Sequence, residues 1–169
     1  MIAIAGLYSK TLIFERNQYL KVEGSIDTNI YLVESGSLRI FVLDEFEEQI
    51  IRFGYAHDLI VALVSFLTDK PSDFFIQAIK KTVVKVISKK NFFEFIAQSE
   101  ENKQIWTTIL EELVMQQLER EKDILTASPK ERYNRVLKRS PRLFQEIPNK
   151  HIANYLRMSP ETLSRLKKS

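Results

Sequence analysis

The spacing of hydrophobic positions changes about half-way along the chain. Over residues 1 to about 90 the apolar positions come in short runs cut by Gly, Ser and charged clusters. Residues 19–22 lead into Glu23-Gly24-Ser25, a turn signal, and residues 29–33 into Glu34-Ser35-Gly36-Ser37, a second one. Residues 38–43 form an apolar run interrupted by Arg39, residues 45–48 an acidic bend, and residues 49–53 a further strand that Gly54 ends. Short β-branched and aromatic runs separated in this way predict the hairpins of a β-sandwich or barrel. Residues 59–67 read as a strand running into a short helix, and residues 68–73 as a loop. Two strands are predicted next, at 74–79 and 83–87, with Lys80-Lys81 between them, and Ser88 reads as a helix start. Residues 1–7 are apolar and form a candidate opening strand.

Beyond Ser88 the period becomes helical. Residues 89–98 predict a short helix carrying Phe92, Phe93, Phe95 and Ile96. Residues 101–126 predict the longest helix, with apolar residues largely at three- and four-residue steps. Its stripe has two edges, Ile105-Ile109-Leu113 and Trp106-Leu110-Val114. A helix packed on its own β-unit and on a second chain has this pattern, and so does a broad core helix in a monomer. Ser128 then reads as an N-cap with Pro129 at the first helical position, followed by a helix over 130–139. Ser140-Pro141 repeats the punctuation and predicts a short helix through Phe144. The domain boundary is placed near residues 126–129. There is neither an internal repeat nor a low-complexity segment.

The last stretch is the most informative. Pro148-Asn149 precedes a short predicted helix over 150–156, and Arg157-Met158-Ser159 makes a tight turn. A second helix starts at Ser159 as N-cap with Pro160 behind it, and runs to about Lys168. Two short helices on a three-residue turn form a helix-turn-helix. Ile152, Ala153, Leu156, Met158, Leu163 and Leu166 are expected to face inward, with Ala153 small enough to let the helices cross closely. Ser159, Glu161, Thr162, Ser164, Arg165, Lys167 and Lys168 are the candidate DNA contacts. Arg reads a guanine edge bidentately, Glu accepts from a cytosine amine, and hydroxyls and lysines hold phosphates. The usual turn glycine is replaced by Arg157, whose positive φ is expected to cost on the order of 1 kcal/mol.

Charge sharpens this reading. The net charge of +3 divides into +8 over residues 128–169 and −5 over residues 1–127. A basic tail on an acidic front points to a polyanion as partner. The chain has no cysteine, which excludes disulfides, thiolate catalysis, iron–sulfur clusters and cysteine-bound zinc. His57 and His151 are the two imidazoles and lie far apart in sequence, so no metal, haem or other cofactor is expected. A cupin-like enzyme needs a His and carboxylate cluster on inner strands, and the front half has one His, so no enzymatic activity is expected. Residues 1–7 lack a basic start and are soon followed by Lys10, Glu15 and Arg16, so neither a signal peptide nor a membrane span is predicted. The expected location is the cytoplasm.

The order of a β-rich front, a long helix and a helix-turn-helix resembles the Crp/Fnr family of bacterial transcription regulators. The stretches that carry the resemblance are residues 30–40, Ser65-Phe66-Leu67, Ile76-Gln77-Ala78, residues 152–156 and residues 159–165. The family reads DNA with Glu-Thr-x-x-Arg on its recognition helix, which here is Glu161, Thr162 and Arg165. The resemblance implies an α+β chain in three parts: a double-stranded β-helix (a jelly-roll-like effector β-roll) over 1–97, a dimerisation helix over 98–127, and a DNA-binding domain over 128–169 without a wing after its second helix. It implies double-stranded DNA, a second copy of the chain, a small-molecule effector and RNA polymerase as partners. The implied dimer seam is Ile105, Ile109, Leu110, Leu113 and Val114. Family members that bind cyclic nucleotides use a Gly-Glu pair and a following Arg. Those positions fall here on Val61-Ala62 and on Ser72, followed by Asp73, which makes these residues the effector-pocket candidates. Ala62 cannot accept a hydrogen bond through its side chain and Asp73 repels phosphate, so an effector other than cyclic AMP is expected. The alternative is a ligand-sensing or interaction module with a weakened DNA-binding head.

Overall fold

The computed structural model describes Ile4, residues 6–45 and residues 47–168. The backbone divides into two compact units, Met1–Lys103 and Gln104–Ser169.

The first unit is a roll of two four-stranded antiparallel sheets. Its strands are β1 (Lys10–Phe14), β2 (Tyr19–Lys21), β3 (Ile30–Ser35), β4 (Ser37–Asp44), β5 (Glu47–Tyr55), β6 (Leu59–Val61), β7 (Phe75–Ala78) and β8 (Thr82–Ile87). One sheet has the order β1-β8-β3-β6 and the other β2-β7-β4-β5. Side chains alternate across each strand, and the inward set forms one core. Tyr31 and Val33 of β3 and Val84 and Val86 of β8 come from the first sheet. They cluster with Leu38 and Ile40 of β4 and Ile76 and Ala78 of β7 from the second. Each large apolar side chain buried in this way contributes about 1.5–3 kcal/mol. The β3–β4 turn depends on Gly36 at φ 91°, where a side chain would collide with the Lys81 carbonyl and with Thr82. Thr82 Oγ1 accepts from the Ser37 N–H at 3.1 Å and pins the turn to the head of β8.

Two short helices complete this unit. Helix α1 (Leu63–Thr68) follows β6, as the 59–67 pattern predicted, and α2 (Lys89–Ile96) is capped by Ser88 Oγ accepting from the Asn91 N–H at 3.1 Å. Strand β1 was not anticipated. The opening strand candidate lies partly outside the described residues (1–3 and 5), while Ile4 and Gly6 are in turns and Leu7 has no strand pairing.

Helix α3 (Glu100–Leu125) is the longest element and runs into the second unit. It is followed by α4 (Pro129–Arg139), α5 (Leu143–Glu146), α6 (Asn149–Tyr155) and α7 (Pro160–Leu166). Ser128 caps α4 with Pro129 behind it, as predicted. Ser140-Pro141 does not repeat that arrangement. Residues 141–142 form a turn, and α5 starts after it without a side-chain cap. The buried apolar residues here include Val136, Leu143, Ile147, Ile152, Ala153, Leu156 and Leu163. Among the described residues no helix is long and apolar enough to cross a membrane.

Candidate functional site

Helices α6 and α7 are joined by a turn built from local hydrogen bonds. The Arg157 N–H donates to the Asn154 carbonyl and the Met158 N–H to the Ala153 carbonyl, both at 3.0 Å. These close the end of α6 around Arg157, which adopts φ 55°. The left-handed conformation expected at the missing glycine is thus present, held by the two carbonyls. Ser159 then caps α7, its Oγ accepting from the Thr162 N–H at 3.2 Å. Ile152, Ala153, Leu156 and Leu163 are buried, and Met158 and Leu166 are half-buried.

A helix advances about 100° per residue, so positions 161, 164 and 165 fall on one side of α7, opposite Leu163, and Lys168, to which the sequence reading had extended the helix, follows in the turn after it. Glu161, Ser164 and Arg165 are exposed along that row, and Lys168 is exposed just beyond it. Ser159 is exposed beside it. Helix-start N–H bonding and the Ser159 hydroxyl hold the Glu161 carboxyl below its ordinary range, so it remains an acceptor at neutral pH. Thr162 lies on the flank, where its Oγ1 accepts from Arg165 at 3.4 Å and steadies the guanidinium. Lys167 is on the other flank. Its Nζ donates to Asn149 Oδ1 at 2.6 Å and lies 5.7 Å from the centre of the Phe144 ring. Lys167 therefore ties the end of α7 to the start of α6, and the outward row of α7 is Glu161, Ser164 and Arg165, with Lys168 exposed after it.

The α3 stripe divides by exposure. Ile105, Ile109, Leu110 and Leu113 are half-buried, whereas Val114 is 57% exposed. Val114 continues into Leu118 and Leu125, which are 47% and 75% exposed. The last two extend the Leu110–Val114 edge by four- and seven-residue steps, a spacing legible in the sequence.

In the β-roll, Val61 ends β6 half-buried, Ala62 and Ser72 are buried, and Asp73 is exposed. A buried charged group bonded to this loop is one that the sequence did not single out. Lys21 of β2 is 3% exposed, and its Nζ donates to the carbonyls of Val22 at 2.9 Å, Ser72 at 3.1 Å and Phe74 at 3.2 Å. Burial pushes its pKa down, against the attraction of Asp27, Asp73 and Glu23. All three ammonium protons are used internally, so Lys21 offers nothing to a ligand phosphate. Val61 and Ala62 are apolar and Asp73 is acidic, so this residue set supplies no cationic side chain. Among the described residues no His, Asp or Glu cluster is arranged to hold a metal ion.

Comparison with known proteins gives a consistent architecture. Residues 11–99 match the cyclic nucleotide-binding domain. No curated protein matches the chain. The fold is similar to that of FixK2 from Bradyrhizobium japonicum, at TM-score 0.78 and 16% identity over 94% of this chain and 82% of that one. It is also similar to a CooA mutant from Carboxydothermus hydrogenoformans, at TM-score 0.73 and 17% identity over 94% of this chain and 74% of that one. CLP, the c-di-GMP responsive global regulator of Xanthomonas campestris, matches at TM-score 0.69 and 11% identity over 99% of this chain and 88% of that one.

Proposed function

The chain belongs to the cyclic nucleotide-binding domain family through residues 11–99, and from that premise we propose that it is a sequence-specific DNA-binding transcription regulator of Crp/Fnr type. In this reading α6 and α7 are a helix-turn-helix, and α7 enters the major groove. The observation that carries the reading is the exposed row Glu161, Ser164 and Arg165 on a capped helix, with Lys168 exposed just after it, within a segment of net charge +8. Arg165 is the base-reading residue, Glu161 an acceptor for a cytosine amine, and Lys168 a phosphate contact. The protein works as a homodimer paired along α3, which sets the two α7 helices against half-sites about one helical turn apart. It acts in the cytoplasm without enzymatic activity, and RNA polymerase is its partner in transcription.

The β-roll serves as the effector module, and its ligand is a small molecule other than cyclic AMP. The support is the residue set at the expected phosphate site: Val61, Ala62, Ser72 and Asp73 supply no cationic side chain, and Lys21 is fully engaged. The description of CLP as c-di-GMP responsive fits a roll whose ligand class varies between similar folds.

The test is binding of the purified protein to labelled DNA from upstream of its own gene, with unrelated DNA as competitor and a salt titration. Saturable binding that resists competitor and weakens steeply with salt is the expected result. Equal displacement by unrelated DNA would leave only a β-roll module with a non-reading head.

A further inference from the structure

Two helix ends converge on one arginine. Arg132 of α4 donates through Nε to the Leu156 carbonyl at 2.9 Å and through Nη2 to the Arg157 carbonyl at 3.2 Å. Its Nη1 donates to the Thr126 carbonyl at 2.5 Å and the Ala127 carbonyl at 3.0 Å. The first pair of acceptors belongs to the α6–α7 turn and the second to the linker after α3. Both are carbonyl ends of helices, where backbone acceptors lack intrahelical donors and the helix dipole is negative. One planar guanidinium thus caps two helices at once, with its fork spanning both pairs. A lysine ammonium is a single point and cannot do this.

Two further joints flank this clamp. The Asp123 carboxylate of α3 is 0% exposed and accepts from Arg135 Nε at 3.0 Å and from Arg139 Nη2 at 2.5 Å, both on α4. Arg120 of α3 lies 3.8 Å from the centre of the Tyr155 ring at the end of α6. The linker at residues 126–128, which the sequence suggested as a domain boundary, is therefore crossed by contacts from both sides.

We propose that the end of α3 and helices α4–α7 form one rigid arm, and that Arg132 is the positioning residue that fixes the α6–α7 turn against the end of α3. The inference deepens the DNA-binding reading. In that setting the end of α3 and α7 move together. The arm itself does not depend on DNA being the ligand.

The absence of native cysteine allows a clean test. Glu112→Cys on α3 and Lys150→Cys on α6, both exposed positions, accept spin labels in the full chain. Dilution with unlabelled protein leaves only the distance within one chain. The expected result is a single narrow distribution in the parent, with or without DNA. Two populations in the parent would overturn the rigid arm, whatever any variant does. Arg132→Gln and Arg132→Lys are both expected to broaden the distribution, because neither spans the two carbonyl pairs. A narrow distribution in Arg132→Gln accompanied only by a lower thermal midpoint would reduce Arg132 to a stability role and overturn its positioning role. DNA affinity is measured in parallel and is expected to fall about tenfold in Arg132→Gln, with Arg165 intact. Broadening without any DNA binding by the parent would keep the arm and overturn the DNA-binding reading.

Discussion

The Arg120 guanidinium stacks on the Tyr155 ring at 3.8 Å from its centre, with both residues buried. Burial lowers the pKa of this guanidinium, and the neighbouring Arg157 and Arg139 charges act in the same direction. A desolvated cation–π contact of this kind is worth about 2 kcal/mol. Tyr155→Leu is expected to lower the unfolding free energy by about that amount. A double-mutant cycle with Arg120→Met in urea isolates the pair, and additive losses would show that the two side chains do not stabilise each other.

Lys21 yields a prediction with a defined sign in pH. Lys21→Met removes the donor that bridges Val22, Ser72 and Phe74, and is expected to cost about 1–3 kcal/mol at neutral pH. The folded pKa of Lys21 lies below the ordinary lysine value of 10.5. Between the lowered value and 10.5 the unfolded chain binds more protons than the folded one. The burial penalty on the charged form is therefore relieved as pH rises through that window, and the wild type gains stability relative to Lys21→Met there. Denaturant titrations at neutral and alkaline pH measure the difference. Millimolar cyclic AMP is expected to leave the melting temperature of the wild type unchanged, since a ligand that binds only the folded state would raise it.

What the sequence made legible follows from the range of the interactions involved. Gly24, Gly36 and the Ser88, Ser128 and Ser159 caps act within a few residues, and they located most strands and helices in advance. The β1 strand was missed because its evidence is remote: Lys10 to Phe14 pair with Val86 to Thr82, far along the chain. The exposed row on α7 was readable from helical spacing, but Lys167 was not separable from Lys168 until Asn149 and Phe144 came into view. Lys21 and Arg132 gave no sequence signal. Each looks like an ordinary charged residue, and part of the carbonyl set that defines its role comes from segments remote in sequence: Ser72 and Phe74 for Lys21, Leu156 and Arg157 for Arg132.

Two substitutions on α7 separate base reading from phosphate contact. Arg165→Ala is expected to cost about 1–3 kcal/mol on the preferred site and to relax specificity at one base pair. Lys168→Ala is expected to weaken binding evenly across sequences and to reduce the salt slope by about one. Affinity over a panel of single-base variants, each at several salt concentrations, distinguishes the two outcomes. An unchanged base preference in Arg165→Ala would remove its reading role.

The exposed edge of α3 makes the assembly testable. Val114, Leu118 and Leu125 present apolar surface at 57%, 47% and 75% exposure on one long helix. Exposed apolar residues grouped along one helix edge mark an association surface. In an antiparallel or parallel pair of α3 helices, Leu118 packs against its own counterpart or a near neighbour, because a two-fold interface is self-complementary. Leu118→Glu then places two carboxylates in an apolar seam, where unpaired charge costs several kcal/mol, while the exposed site in a single chain tolerates the change. Light scattering at micromolar concentration is expected to give a dimer for the wild type and a folded monomer for Leu118→Glu. A wild-type monomer would assign the stripe to some other partner, and the spacing of two α7 helices could then no longer select the DNA site.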